Sequence, residues 1–255
     1  MSESRRIVRW PLHLDWPTCY NIRDLGGLPT TDGRHTRVGA FIRADTPARL
    51  TADGRQMLLD HGVRTIIDLR APNEAAEWPS PFANQPAPHM PIYLNLPLEK
   101  FYPHVGKLIV QAEHRAQVYC IMLDHYPDCM ADILRAMLNA APGPILFHCH
   151  SGKDRTGVVA ALLLGLAGVP DELIAADYAL SQERLMPVYA QDVRRAGGAD
   201  KVGFWGRPTV TPEMMFYLLD HLQSQYGGVR PYLQQAGLRE SELDGLAARI
   251  LESTA

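Results

Sequence analysis

The chain of 255 residues is 46% hydrophobic and carries 25 Lys plus Arg against 28 Asp plus Glu, a net charge of -3 with histidine neutral. That supplies enough apolar residues to bury a full core as one domain. The weakly acidic balance excludes a general attraction to nucleic acid or to an anionic membrane, so any positive field must be local.

Asn21 to Asp45 is dense in turn signals (Gly26-Gly27, Pro29, Asp32-Gly33) around short segments such as Val38 to Arg43, which predicts a small β-hairpin region. Thr51 can cap a helix carrying Met57, Leu58 and Leu59, ended by Gly62. Val63 to Leu69 reads as a buried strand, with Asp68 and Arg70 at its end. Six prolines between Pro72 and Pro91 argue against regular structure there, apart from a helix start at Glu74 capped by Asn73, until the strand-like Ile92 to Leu96. Helical periodicity runs from Val105 to Leu138 with a break near Pro127.

Ile145 to His148 is a short apolar run ending in a glycine-containing loop, and Val158, Val159, Leu162, Leu163 and Leu166 set a helical pattern from about Thr156. Pro170-Asp171-Glu172 starts a further helix toward Leu185. Residues 186–210 lose periodicity and read either as a lid or insertion or as a plain surface connection. Thr211-Pro212 opens a helix stopped by Gly227-Gly228, and Ser241 caps a last one through Leu251. Alternating strands and helices predict an α/β fold, a central sheet, mainly parallel, flanked by helices.

The chemistry concentrates in His148-Cys149-His150-Ser151-Gly152-Lys153-Asp154-Arg155-Thr156-Gly157. A strand–loop–helix unit aims loop N–H groups and a helix N-terminus at one point, which favours a phosphate dianion and a cysteine anion together. Cys149 is the candidate nucleophile. Arg155 can grip two phosphate oxygens through its planar fork. His150, Ser151, Gly152, Lys153 and Asp154 complete the phosphate-binding loop. Thr156 can donate its hydroxyl to the sulfur or cap the helix, and His148 reads as a loop organiser. A nucleotide-binding Walker loop is excluded, because Phe147 stands where its first glycine belongs and Asp154 follows Lys153 in place of Ser or Thr. Cys19, Cys120, Cys129 and Cys149 lack zinc-site or disulfide-framework spacing, so a reduced, cytoplasmic protein without metal or cofactor is expected. Neither the segment around Arg5, Arg6 and Arg9 nor the apolar stretch Val158 to Val169 resembles a signal peptide or a membrane span.

This loop, with Asn21-Ile22-Arg23-Asp24-Leu25-Gly26-Gly27, Ile67-Asp68-Leu69-Arg70 with Glu74, and Tyr226-Gly227-Gly228 with Tyr232-Leu233, resembles the cysteine-dependent protein tyrosine phosphatases. Within them it is closest in pattern to the bacterial and fungal tyrosine/serine phosphatase branch with relaxed specificity. The resemblance implies metal-independent hydrolysis of phosphate monoesters through a cysteinyl-phosphate, with a lid over the pocket. The substrates it implies are phosphotyrosine proteins first, then phosphoserine or phosphothreonine proteins and phosphoinositides. A phosphoinositide as main substrate, a phosphate-recognition module without turnover, and sulfur transfer are the rival readings. The chain departs from the Trp-Pro-Asp loop of better-known members, since Trp78-Pro79 is followed by Ser80. Asp154 is therefore the first candidate for leaving-group acid and Asp68 the second. Arg23 and Arg43 either border the pocket or anchor loops.

Overall fold

The computed structural model describes residues 10–83 and 87–253; Arg5, Arg6, Arg9 and Pro86 of the sequence reading lie outside them. The strands are β1 (Leu12–His13), β2 (Arg23–Asp24), β3 (Phe41–Ala44), β4 (Thr65–Asp68), β5 (Ile92–Asn95) and β6 (Ile145–His148). They form one sheet in the order β1-β2-β3-β6-β4-β5. β3, β6, β4 and β5 run parallel, while β1 and β2 pair antiparallel on the β3 side. β3, β4 and β6 are buried along their whole length, as the unbroken apolar runs in a sheet covered on both faces require. In register, Ala44 and Asp68 both lie beside His148, so the chain segments leaving β3, β4 and β6 emerge together at one sheet edge. Ligands of α/β proteins collect at such edges.

The helices are α1 (Ala52–Asp60), α2 (Pro72–Glu77), α3 (Pro103–Gln111), α4 (Arg115–His125), α5 (Pro127–Asn139), α6 (Asp154–Leu166), α7 (Asp171–Ala196), α8 (Pro212–His221), α9 (Val229–Gln235) and α10 (Glu240–Ile250). α6 is apolar nearly all round and is enclosed by the sheet and by α4, α7, α9 and α10. The larger core lies on this face. A smaller one, with Trp16, Ile22, Ile42, Leu58, Ile66 and Leu146, lies on the α1 face. No helix among the described residues is long and apolar enough to cross a membrane.

Several boundaries differ from the sequence reading. α2 starts at Pro72, whose fixed φ suits a first helical position, so Asn73 is inside the helix and caps nothing. The helical stretch after Val105 also breaks at residues 112–114, where His114 caps α4 by accepting from the Gln117 N–H. α6 begins at Asp154, two residues before Thr156, and α10 begins at Glu240, so Ser241 lies within it. The main correction is α7, which continues through Pro187 to Ala196. Pro187 removes the bond to the Glu183 carbonyl, but both residues are exposed and water can take that carbonyl. The irregular part of residues 186–210 is thus confined to the stretch beyond Ala196.

Candidate active site

β6 delivers Cys149 into a loop that ends where α6 begins, and the loop's carbonyls are turned away from the sulfur by named donors. His148 Nδ1 donates to the Cys149 carbonyl (2.9 Å) and the Thr46 N–H to that of His150 (3.0 Å). Asn21 Nδ2 donates to those of Ser151 and Gly152 (3.0 Å each), and Arg43 Nη2 to that of Gly152 (2.8 Å). In a trans peptide the N–H points opposite to the C=O. Holding the carbonyls outward therefore turns the following N–H groups inward, a concave set of donors fit for an oxyanion. Gly152 makes the bend at φ +64°, and a Cβ there would collide with the Ala44 carbonyl. Cys149 is about 2% exposed, yet it lines a cavity of about 550 Å³ and forms part of its floor.

Arg155 also lines that cavity and is held by Glu74, Nη1 to Oε2 at 2.5 Å and Nη2 to Oε1 at 2.8 Å. Burial works against both charges, but the pairing outweighs it, holding Glu74 below the usual carboxylate range and raising Arg155. Two of the five guanidinium N–H groups are thereby used to fix the plane, and three remain for an oxyanion. Sequence reasoning had Glu74 as part of the family resemblance and as a helix-start residue, without its partner; it orients Arg155. Its place in α2, hidden among prolines, is what obscured this.

The carboxyls differ in their surroundings. Asp154, in the first turn of α6, lines the cavity and accepts from the Tyr119 hydroxyl, which also bonds the Tyr178 hydroxyl; Lys153 Nζ and Arg115 Nε each lie 3.6 Å from it. Asp68 does not line the cavity. Burial would raise it, but the Arg70 fork, His148 and the Tyr93 hydroxyl together hold it low. It is a fully buried ion-pair member at the end of β4. Glu99, which the sequence reading overlooked, lines the cavity just beyond β5. Burial pushes it up, with Arg155 opposing and Glu74 and Asp154 reinforcing.

His150 and Lys153 of the loop are each held by neighbouring groups. His150 is pushed down by burial and by Arg49, whose Nη2 lies 3.1 Å from its Nε2, so it is neutral near pH 7. Lys153 is about 1% exposed and donates to the carbonyls of Arg207 (2.6 Å) and Trp205 (3.3 Å). Arg115 donates to the Thr209 carbonyl at 2.6 Å and lies over the Trp205 ring. Two cations beside the loop thus hold the segment after α7 across the cavity, where Trp205, Gly206 and Pro208 join its wall. Thr156 is buried, its Oγ1 has no hydrogen-bond partner among the described residues, and it is not the cap, because Lys153 holds that position. His148 is pushed down to about 4 by burial, with Asp68 opposing, and stays neutral. Arg23 and Arg43 do not border the cavity; both are fully buried behind the loop against Asp177 of α7.

Comparison with known proteins agrees with this geometry. A tyrosine-protein phosphatase of Nostoc commune is 32% identical over 219 residues, 83% of this chain and 74% of its own. The triple specificity protein phosphatase PtpB of Mycobacterium tuberculosis is 26% identical over 275 aligned positions, 92% of this chain and 98% of its own. The solved structure of P. aeruginosa TpbA in complex with pTyr aligns over 67% of this chain and 80% of its own at 19% identity, with a TM-score of 0.38. The model of the tyrosine phosphatase family matches residues 14–252: the chain belongs to the tyrosine phosphatase family and is a phosphatase.

Proposed function

We propose that the chain hydrolyses phosphotyrosine in proteins through a cysteinyl-phosphate. The Cys149 sulfur attacks phosphorus, the loop N–H groups and Arg155 hold the equatorial oxygens, and the phenol leaves with a proton. Water then attacks the phosphorus, releasing phosphate and returning the sulfur. The Thr156 hydroxyl, unspent in the first turn of α6, is free to serve the departing sulfur. The observation that carries the reading is the Arg155–Glu74 fork beside Cys149 at the floor of one cavity. Glu99 is the best leaving-group acid of the three carboxyls, since an acid must hold its proton near the working pH and burial favours that for Glu99. Asp154 accepts from the Tyr119 hydroxyl and Asp68 does not line the cavity.

The substrate class follows from the walls. Ile109, Val118, Met122, Leu185, Val188 and Tyr189 line the cavity beyond the loop and suit an aromatic ring. The extra phosphates of a phosphoinositide would need extra cations, and Lys153 of the loop is turned to the carbonyls of the covering segment. The triple specificity in the name of the mycobacterial relative supports additional phosphorylated substrates. The segment after Ala196 acts in this reading as a lid, and the required free thiol fits a reducing, cytoplasmic setting. The decisive experiment is acid quenching during turnover of a phosphotyrosine peptide, followed by mass spectrometry. A phosphate adduct on Cys149, absent in Cys149→Ser, is expected; turnover by Cys149→Ser at the wild-type rate overturns the mechanism. A phosphoinositide turned over faster than the peptide, side by side, overturns the substrate assignment.

A further inference from the structure

Behind the phosphate loop lies a cluster whose charges do not cancel. Arg23 and Arg43, both fully buried, share one carboxylate, that of Asp177. Arg23 Nε meets Asp177 Oδ1 at 2.7 Å and Arg43 Nη1 meets Oδ2 at 2.5 Å. Arg23 Nη2 also reaches Asp177 Oδ2 at 3.3 Å, and the remaining contacts of the two guanidiniums are neutral: Asn21 Oδ1, Ser181 Oγ and the Asp177 carbonyl for Arg23, and the carbonyls of Gly152 and Lys153 for Arg43. Among the described residues no second carboxylate bonds or pairs with either. Asp45 is buried in the same region, but its oxygens take the Tyr20 and Asn21 N–H groups and the Cys19 thiol and pair with neither arginine. Arg23 is pushed down to about 10 by burial and then by Arg43, which shows the crowding of like charges. Arg43 Nε is itself buried without a hydrogen-bond partner among the described residues. A buried charge is costly unless paired, and this cluster holds one positive charge in excess.

We propose that this surplus is compensated by the ligand: Arg43 is a positioning residue that presses its charge onto the Gly152 carbonyl, and the cluster is balanced only when a tetrahedral oxyanion occupies the other side of the loop. The proposal rests on the reading of that loop as the phosphate site. The guanidinium polarises the Gly152–Lys153 peptide unit, whose N–H faces the ligand, so the excess charge reaches the oxyanion through one peptide bond. It follows that oxyanion binding stabilises the fold, and that the unliganded chain carries an electrostatic cost for the sake of its site.

The test uses the full chain, titrated with tungstate by calorimetry, with Tm measured without it. Arg43→Met and Arg23→Met each leave a one-to-one pair with Asp177 and so remove the surplus. Each is expected to bind tungstate at least tenfold more weakly while the unliganded Tm stays at or above the wild-type value. Arg23 bonds no atom of the loop directly and reaches it only through Asn21, whose Oδ1 it holds; Arg23→Lys keeps the charge and is expected to regain most of the affinity lost in Arg23→Met, which separates charge from loss of that brace. Arg43→Lys keeps the charge and is expected to regain most of the affinity lost in Arg43→Met. A variant that binds tungstate like wild type, that melts lower without ligand, or that fails to fold overturns the proposal, since each is the mark of an ordinary structural brace. If wild type binds tungstate tightly but releases no phosphate from a phosphotyrosine peptide, the phosphatase reading falls and this one stands. If the peptide is turned over and tungstate affinity ignores both arginines, only this one falls.

Discussion

At the scale of single residues, catalysis turns on which carboxyl keeps a proton beside Arg155. Asp154 receives the Tyr119 hydroxyl and faces Lys153 and Arg115, so its lone pairs are in demand. Asp68 is locked into the Arg70 fork. Glu99 is raised by burial and lines the cavity with Cys149. A general acid contributes most when the leaving group is poor, typically about a hundredfold or more. Glu99→Gln should therefore lower kcat on a phosphotyrosine peptide by about that factor and barely change it on a nitrophenyl phosphate. Asp154→Asn should lower both alike, because it weakens the acceptor that holds the Tyr119 hydroxyl at the start of α6. Steady-state rates of the two variants on the two substrates check this, and the reverse pattern would move the role to Asp154.

At the scale of elements, the loop and the covering segment are each held by a few directed contacts. Gly152 packs against the backbone where β3 ends, so Gly152→Ala must displace either the loop or the Ala44 carbonyl. A backbone forced out of a positive φ costs on the order of 1–3 kcal/mol. Tungstate affinity is expected to fall at least tenfold, with circular dichroism unchanged. Lys153 and Arg115 hold the segment between α7 and α8 through carbonyls. Bonds from charged donors contribute roughly 1.5–3 kcal/mol, so Lys153→Met should speed amide exchange at residues 203–209 about tenfold or more and leave α6 unchanged. These elements also show how far the sequence could be read. β4, β6 and the start of α8 announce themselves through unbroken apolar runs and Thr-Pro punctuation, and Cys149 and Arg155 through their spacing. The partner of Glu74 and the places of Glu99 and Asp177 could not be read, because each is set by chain segments that meet only in three dimensions. The end of α7 was hidden by Pro187, since a proline ordinarily ends a helix, although Leu185, Val188, Tyr189 and Asp192 keep helical spacing along the cavity.

For the whole molecule, the buried ionisable groups couple folding to pH, and the sign follows from which state binds more protons. His148 is held at about 4 in the fold, mainly by burial, against an ordinary value of 6.5. The unfolded chain therefore takes up a proton first as pH falls. The stability His148 contributes is complete above about pH 6.5 and is lost progressively down to about 4. Asp68 and Asp177 are also depressed, the pull of their arginines exceeding the opposing effect of burial, and they add a second loss at lower pH. Asp24, Asp45 and Glu99 are raised by burial and act in the opposite direction, contributing stability that is lost as pH rises through their folded values. The histidine is isolated by difference. His148→Gln keeps a side-chain donor for the Cys149 carbonyl but cannot be protonated, so it should remove about 2 kcal/mol of the wild-type destabilisation between pH 7.5 and pH 5. In thermal melts that corresponds to a Tm decrease over this interval smaller by roughly 4–8 °C than in wild type. Parallel Tm curves for the two proteins across that interval would mean that His148 is already accommodated as a cation beside Asp68.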